Sequence, residues 1–279
     1  MARSRPFAQV DVFSSEPYLG NPVAVILDGE SLSDDEMQRI AQWTNLSETT
    51  FVLPPTRDGA DYRLRIFTPS SELPFAGHPT LGSARAWLEH GGVPGTRGRI
   101  VQECGAGLVD VRVDDERLAF AAPPLVKSGP LEDEFFERLV AAFGVDRERV
   151  LGHQWVDNGP GWAALHLASA DDVLGLEPDF SQIPDAVVGA VGAYPEGSGH
   201  AFEIRAFVPG ESVPEDPVTG SLNASVAQWL TSTGQAPDRY TVSQGRALGR
   251  AGEISIAVED DTVWVGGAAT VLFSGTALA

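Results

Sequence analysis

The segment Arg65-Ile66-Phe67-Thr68-Pro69 recurs later in the chain as Arg205-Ala206-Phe207-Val208-Pro209, and this repeat decides the fold class. A second pair of segments follows in the same order, His78-Pro79-Thr80-Leu81-Gly82-Ser83 and Asp216-Pro217-Val218-Thr219-Gly220-Ser221. Both copies then run into alanine-rich stretches that contain a Trp-Leu pair. Several matches in one order indicate that two copies of a strand–helix–strand unit are fused in this chain.

The best candidate for a boundary between the copies is the proline-rich stretch Pro123–Pro130. We therefore predict an N-terminal half over residues 1–124 and a C-terminal half over residues 125–279. Within the first half, Ser33 and Glu36 have the spacing of a capping box, which predicts a helix that follows them. In the second half, the amphipathic stretch Leu131–Phe143 predicts another helix.

Composition restricts the classes of function. The 279 residues are 43% hydrophobic and carry a formal net charge of −20, which disfavours nucleic acids and anionic membranes as partners. Lys127, the only lysine, lies in the proline-rich stretch, so a Schiff base with pyridoxal phosphate is not expected. A single cysteine, Cys104, excludes an internal disulfide and a cysteine-based metal cluster. The first ten residues lack an apolar segment typical of a signal peptide, so we expect a cytoplasmic protein.

His78 and Asp216 occupy the same place in the repeat as the sequence aligns it, each directly before a proline at a strand-to-helix junction. Proline suits the first turn of a helix, so both residues are expected just before helix N-termini, where free N–H groups bind anions. If the halves pack about a pseudo-two-fold axis, both helix starts can face one cleft. That cleft suits an amino acid or carboxylate, held by backbone N–H groups, Ser221 and Ser83. Considered alone, Asp216 could equally be a helix cap and His78 a structural histidine.

Glu48 lies where the predicted first helix gives way to a strand. An acid between two apolar elements can be desolvated, and desolvation raises a carboxyl pKa toward the range of a usable acid or base. An approximate alignment of the two copies places Gly189 opposite Glu48, so the acid is not duplicated. Local sequence alone equally allows a solvated acid in a loop.

Several motifs, in order and over nearly the whole chain, resemble the phenazine biosynthesis PhzF family. They are Leu19-Gly20-Asn21-Pro22-Val23-Ala24-Val25, Asn45-Leu46-Ser47-Glu48-Thr49-Thr50-Phe51, Phe67-Thr68-Pro69, Glu72-Leu73-Pro74-Phe75-Ala76-Gly77-His78-Pro79-Thr80-Leu81-Gly82 and Glu215-Asp216-Pro217-Val218-Thr219-Gly220-Ser221. The resemblance implies the diaminopimelate epimerase-like α+β fold. In that fold, two pseudo-symmetric halves each wrap a barrel-like, mostly antiparallel sheet around a central helix, and the last strand, about 270–279 here, can cross back to the first half.

The resemblance also implies an isomerase that needs no cofactor and no metal. In the family, a glutamate moves a proton between carbons of a cyclic diene while a histidine and an aspartate hold the substrate. The matching residues here are Glu48, His78 and Asp216, and Gly77, Gly220 and Ser221 match substrate-binding positions. Related racemases carry two cysteines in place of the histidine and aspartate, an arrangement that this chain cannot form.

The substrate remains open at this stage. The motifs predict a double-bond shift in an unsaturated cyclic amino acid of a natural-product pathway, such as antibiotic biosynthesis, and they equally fit isomerisation of dihydro-hydroxyanthranilate in phenazine synthesis. An epimerase that uses Glu48 with His78 and a non-catalytic binding or housekeeping protein are the further alternatives. Family members are commonly homodimers, so a homodimer is expected.

Overall fold

The computed structural model describes residues 3–114, 117–211 and 213–279. Its contacts divide the chain into two compact units. Unit 1 comprises Met1–Pro123 with Trp264–Ala279, and unit 2 comprises Pro124–Val263. None of the helices in the described residues combines the length and the apolar character that crossing a membrane requires.

The elements below are given in chain order. The helices are α1 (Asp34–Thr44), α2 (Gly77–Glu89), α3 (Asp133–Phe143), α4 (Ala170–Leu174) and α5 (Gly220–Ser232). The strands are β1 (Ser4–Val12), β2 (Asn21–Ile26), β3 (Glu48–Leu53), β4 (Tyr62–Phe67), β5 (Glu72–Leu73), β6 (Arg99–Cys104), β7 (Gly107–Asp114), β8 (Arg117–Ala121), β9 (Lys127–Gly129), β10 (Val150–Asp157), β11 (Ala163–Leu167), β12 (Val188–Ala193), β13 (Phe202–Phe207), β14 (Glu215–Asp216), β15 (Arg239–Gln244), β16 (Gly252–Glu259) and β17 (Thr262–Leu278).

The sheet of unit 1 closes on itself. β1 pairs antiparallel with β2, β2 parallel with β3, β3 antiparallel with β4, and β4 parallel with β6. The antiparallel pairs β6–β7, β7–β8, β8–β17 and β17–β1 complete a ring of eight strands. β5 adds a short antiparallel pair on β4. Closure leaves no free edge in the ring, so backbone hydrogen bonding is continuous around it.

Helix α2 is the core of unit 1, because it contacts β1, β2, β3, β4 and β8 and buries residues all along its length. Close approach to the sheet depends on Gly82, where an added Cβ would lie 2.3 Å from a methyl carbon of Val23. Helix α1 begins with a capping box. Ser33 accepts from the N–H of Glu36, and Glu36 accepts from the N–H of Ser33, as the sequence predicted.

Unit 2 repeats the strand order of unit 1. β10 pairs antiparallel with β11, β11 parallel with β12, β12 antiparallel with β13, β13 antiparallel with β14, β13 parallel with β15, and β15 antiparallel with β16. β9 adds an antiparallel pair on β10. Helix α5 contacts β10 and β16 and is buried along most of its length, like α2 in unit 1. The predicted repeat of mostly antiparallel sheets with a central helix is confirmed.

The same arginine–glutamate ion pair occurs at equivalent positions in both units. Arg65 on β4 binds both carboxylate oxygens of Glu72 on β5, at 2.7 and 2.6 Å. Arg205 on β13 binds both carboxylate oxygens of Glu215 on β14, at 2.8 Å each. The two guanidinium groups also lie over equivalent rings two residues on, 5.1 and 4.9 Å from the ring centres.

This geometry corrects the alignment that the sequence suggested. Leu73 pairs with Ile66 on β4, and Asp216 makes the equivalent pair with Ala206 on β13. Each central helix then begins with a glycine, four residues further on, and has 13 residues. The residue of unit 2 that is equivalent to His78 is therefore Ser221, and Asp216 is equivalent to Leu73.

The position of Gly189 is corrected in the same way. Gly189 pairs with Ala206, whereas Thr50 pairs with Ile66, the structural equivalent of Ala206. Gly189 is thus opposite Thr50 and not opposite Glu48. Val187 takes the place of Glu48, so the acid is still not duplicated.

Candidate active site

The start of helix α2 presents free backbone donors. Ala76 is the N-cap in an extended conformation and makes no side-chain cap. The N–H groups of Gly77 and His78 make no hydrogen bond within the described residues, and Pro79 has no N–H to satisfy. His78 is the second residue of the helix and not the residue before it, because α2 begins at Gly77.

His78 and Glu48 meet beside this helix start. Glu48 is the first residue of β3, as expected for the junction after the first helix, and its side chain is 13% exposed. Its Oε2 lies 3.3 Å from Nε2 of His78, whose side chain is 3% exposed. Apart from this contact, Nε2 has no hydrogen-bond partner within the part of the chain that the structure describes.

The imidazole of His78 is neutral near pH 7. Burial lowers the pKa of His78 to about 3, and a hydrogen bond to the carbonyl of Pro22 offsets only part of this effect. The contact with Glu48 is therefore between a carboxyl group and a neutral ring. A neutral imidazole beside a carboxyl group can donate or accept one hydrogen bond without competing for the charge.

Asn21 supports the other side of the imidazole. It is the first residue of β2, it is fully buried, and its Nδ2 lies 3.3 Å from Nδ1 of His78. In the sequence, Asn21 stands out only as part of the family motif that begins at Leu19, and nothing in that motif indicates a contact with His78.

In unit 2, Asp216 lies on β14, ahead of Thr219, which is the N-cap of α5. The expectation that Asp216 lies directly before the helix start is therefore wrong. Thr219, and not Asp216, occupies the N-cap position of α5. The hydroxyl of Thr219 donates to Oδ2 of Asp216 at 2.7 Å. Gln244 holds both residues, because it accepts from the N–H of Thr219 at 3.0 Å and donates to the carbonyl of Asp216 at 3.1 Å.

Gly220 and Ser221 begin helix α5, and Ser221 is 6% exposed. Their backbone N–H groups make no hydrogen bond within the described residues, as at the start of α2. Two side chains fix Ser221 in place. The indole N–H of Trp162 donates to Oγ at 3.0 Å, and the amide of Asn158 donates to the carbonyl oxygen at 2.9 Å. Neither of these two residues lies in a motif that the sequence marks.

Ser83 is the seventh residue of α2 and is fully buried. Its hydroxyl shares a 2.8 Å hydrogen bond with the hydroxyl of Thr50 on β3. The bond joins the central helix to the sheet, which is a structural task. A substrate would have to displace this bond before it could reach Ser83.

Two groups of expected site residues are thus brought together, each within one unit. Glu48, Gly77 and His78 gather at the start of α2, and Asp216, Gly220 and Ser221 gather at the start of α5. Among the described residues, no three His, Cys, Asp or Glu side chains are arranged to hold a metal ion.

Sequence comparison decides the family. The sequence model described as PhzC-PhzF, phenazine biosynthesis-like protein, matches residues 10–275. The chain belongs to this family. It is 40% identical over 288 residues to "Antisense-enhancing sequence 1" of Schizosaccharomyces pombe, covering 96% of this chain and 97% of that protein. It is 36% identical over 248 residues to a trans-2,3-dihydro-3-hydroxyanthranilate isomerase of Pseudomonas aeruginosa, covering 88% and 87% of the two chains.

Solved structures agree with this assignment. A PhzF family protein of Enterococcus faecalis superposes with a TM-score of 0.80 at 26% identity, covering 99% of this chain and 100% of that one. A probable proline racemase of Agrobacterium radiobacter K84 shares the fold, with a TM-score of 0.63 at 14% identity and 99% and 93% coverage. The fold is therefore diaminopimelate epimerase-like, and the chain is an enzyme of the isomerase class.

Proposed function

We propose that this enzyme moves a proton between two carbons of an unsaturated cyclic amino acid, and so shifts a double bond, without a cofactor. The observation that carries the proposal is the contact between Glu48 and His78. A carboxyl group that is mostly shielded from water lies 3.3 Å from a neutral imidazole, next to two free backbone donors. This combination suits proton transfer near neutral pH.

In the proposed reaction, Glu48 takes a proton from one ring carbon as its carboxylate and returns a proton to another carbon as its acid. The net change is an isomerisation, because one proton leaves the substrate and one is added while no electrons are lost. The electron pair released at the first carbon moves through the conjugated system. His78, being neutral, can hold a polar substrate group without drawing the proton from Glu48 permanently.

Asp216 and the start of α5 are proposed to hold polar groups of a substrate. A carboxylate suits the N–H groups of Gly220 and Ser221, because helix N-termini favour anions. The carboxylate of Asp216 suits an ammonium group. Gly77 contributes a further N–H donor beside His78. Ser83 is not included, because its hydroxyl is already bonded to Thr50.

Among possible substrates, trans-2,3-dihydro-3-hydroxyanthranilate is supported by the named Pseudomonas relatives, which cover most of the chain at 36% and 35% identity. It has the amino and carboxylate groups that the proposal requires. Other unsaturated cyclic amino acids of natural-product pathways meet the same requirements. We expect a homodimer, because members of the family are commonly homodimers, and we expect it in the cytoplasm.

Incubation in D2O distinguishes the proposed reaction from epimerisation. With trans-2,3-dihydro-3-hydroxyanthranilate, the double-bond shift should change the ultraviolet absorption and leave deuterium at the carbon that receives the proton. An epimerase would instead exchange the proton at one stereocentre, with loss of optical rotation and no change in absorption. Absence of both signals with this substrate and with a panel of unsaturated cyclic amino acids would contradict the proposal.

A further inference from the structure

Trp162 lies at the end of a tightly built loop that precedes β11. One carboxylate oxygen of Asp157 accepts from the N–H groups of Gly159 and Gly161, at 2.7 Å each. The carbonyl of Trp162 accepts from the N–H of Val156 at 2.9 Å, and the side chain is 3% exposed. The indole is therefore held in one place by the loop and by its own burial.

The indole N–H determines how the hydroxyl of Ser221 is used. An indole N–H can only donate, so Oγ of Ser221, 3.0 Å away, must accept. Among the described residues, the hydroxyl of Ser221 donates no hydrogen bond. That hydrogen is left for a bound acceptor. A serine without this partner could turn its hydroxyl to serve as donor or acceptor.

Further hydrogen-bond donors lie beside the hydroxyl of Ser221. The backbone N–H groups of Gly220 and Ser221 are unpaired within the part of the chain that is described. Asn158 also holds the first turn of α5, because its amide donates to the carbonyl of Ser221 at 2.9 Å. Three donors on two adjacent residues match the oxygens of a carboxylate.

We propose that Trp162 is a positioning residue that makes the Ser221 hydroxyl a dedicated donor to the carboxylate of the substrate. This inference rests on the proposed function for the class of substrate, and it adds the residue that sets the selectivity for a carboxylate over an uncharged amide. A carboxamide in the same place would turn its NH2 group toward these donors. One hydrogen bond would then be lost, and two donors would face each other.

Binding measurements on the whole protein test this role without requiring turnover. The probes are 3-hydroxyanthranilate and its carboxamide, compared by calorimetry with the wild type, Trp162→Phe, Ser221→Ala and the double variant. Phenylalanine keeps most of the aromatic volume and removes the N–H. Trp155→Phe is the matched control, because its indole N–H also donates to a side chain, Oε2 of Glu132 at 2.9 Å, outside the proposed site.

The wild type should bind the acid at least tenfold more tightly than the amide. Trp162→Phe should weaken binding of the acid about five- to tenfold, corresponding to one neutral hydrogen bond, and leave binding of the amide unchanged. Ser221→Ala should lose as much, and the double variant should lose little more, since both changes remove one interaction. Trp155→Phe should bind like the wild type.

Equal losses for acid and amide in Trp162→Phe, or additive losses in the double variant, would overturn the proposal, as would a wild type without preference for the acid. The indole N–H resonance of Trp162, identified by its loss in Trp162→Phe, should also move in Ser221→Ala, and a resonance that does not move would contradict the contact. A protein that shows the predicted binding but gives no double-bond shift would contradict the proposed function while supporting the role of Trp162.

Discussion

His78 and Ser221 are structural equivalents, each being the second residue of a 13-residue central helix that begins with glycine. Each also receives a side chain from the start of the neighbouring strand or from the loop before it, namely Asn21 for His78 and Trp162 for Ser221. The same position in the repeated unit therefore carries a neutral imidazole in one copy and a hydroxyl donor in the other. Duplication supplied the scaffold, and substitution at this position supplied different chemistry.

The equivalent arginines of the repeat should differ in their contributions to stability. The Arg205 side chain is 7% exposed and binds two carbonyl oxygens in addition to Glu215, whereas Arg65 is 18% exposed and binds more exposed acids. Arg205→Ala should lower the free energy of unfolding by about 3 kcal/mol, because it leaves a shielded carboxylate unpaired. Arg65→Ala should cost about 1 kcal/mol. Denaturant unfolding of both variants checks this, and equal costs would contradict it.

Acid should destabilise the protein through His78. The unfolded chain binds a proton at this histidine below about pH 6.5, while the folded protein does so only near pH 3. The contribution of His78 to the free energy of unfolding is therefore complete above pH 6.5. It should decline by about 1.4 kcal/mol per pH unit as the pH falls toward 3. His78→Gln should remove this part of the pH dependence of unfolding, and the exposed His90→Gln should not. Parallel pH profiles for wild type and His78→Gln would argue against a buried neutral imidazole.

Asn21→Asp should raise the pKa of His78. The substitution is nearly isosteric and places a carboxylate about where the amide nitrogen lies 3.3 Å from Nδ1. An anion at this distance stabilises the imidazolium, so the pKa of His78 should rise by about 2. Asn21→Leu is the uncharged control and should leave the pKa low. Titration of the imidazole by NMR measures both, and an unshifted Asn21→Asp variant would show that Asn21 does not face the ring as described.

Much of the fold could be predicted because the signals are local. The capping box at Ser33, the strand that begins near Glu48 and the repeated Arg-x-Phe segment depend on neighbours in sequence. The alignment of His78 with Asp216 failed because the connection from Phe207 to Glu215 is three residues longer than that from Phe67 to Glu72. The prolines and glycines of the two copies therefore aligned out of register. Only the pairing of the strands shows the correct alignment.

The supporting residues of the site could not be predicted for a different reason. Asn21, Trp162 and Gln244 contact residues 57, 59 and 25 positions away in the chain, through polar side-chain contacts. No periodicity or local motif encodes such a contact, since it depends on how strands and helix are placed within the unit. The residues that they contact, His78, Ser221 and Thr219, could be singled out only because they lie within the family motifs.

The most direct test of the central claim is the turnover of Glu48→Gln. With trans-2,3-dihydro-3-hydroxyanthranilate, this variant should keep its affinity for 3-hydroxyanthranilate and lose about a thousandfold in kcat, with the loss of solvent deuterium in the product, because an amide cannot carry the proton. Glu89→Gln, an exposed change at the end of α2, should behave like the wild type. Full turnover by Glu48→Gln would contradict the account.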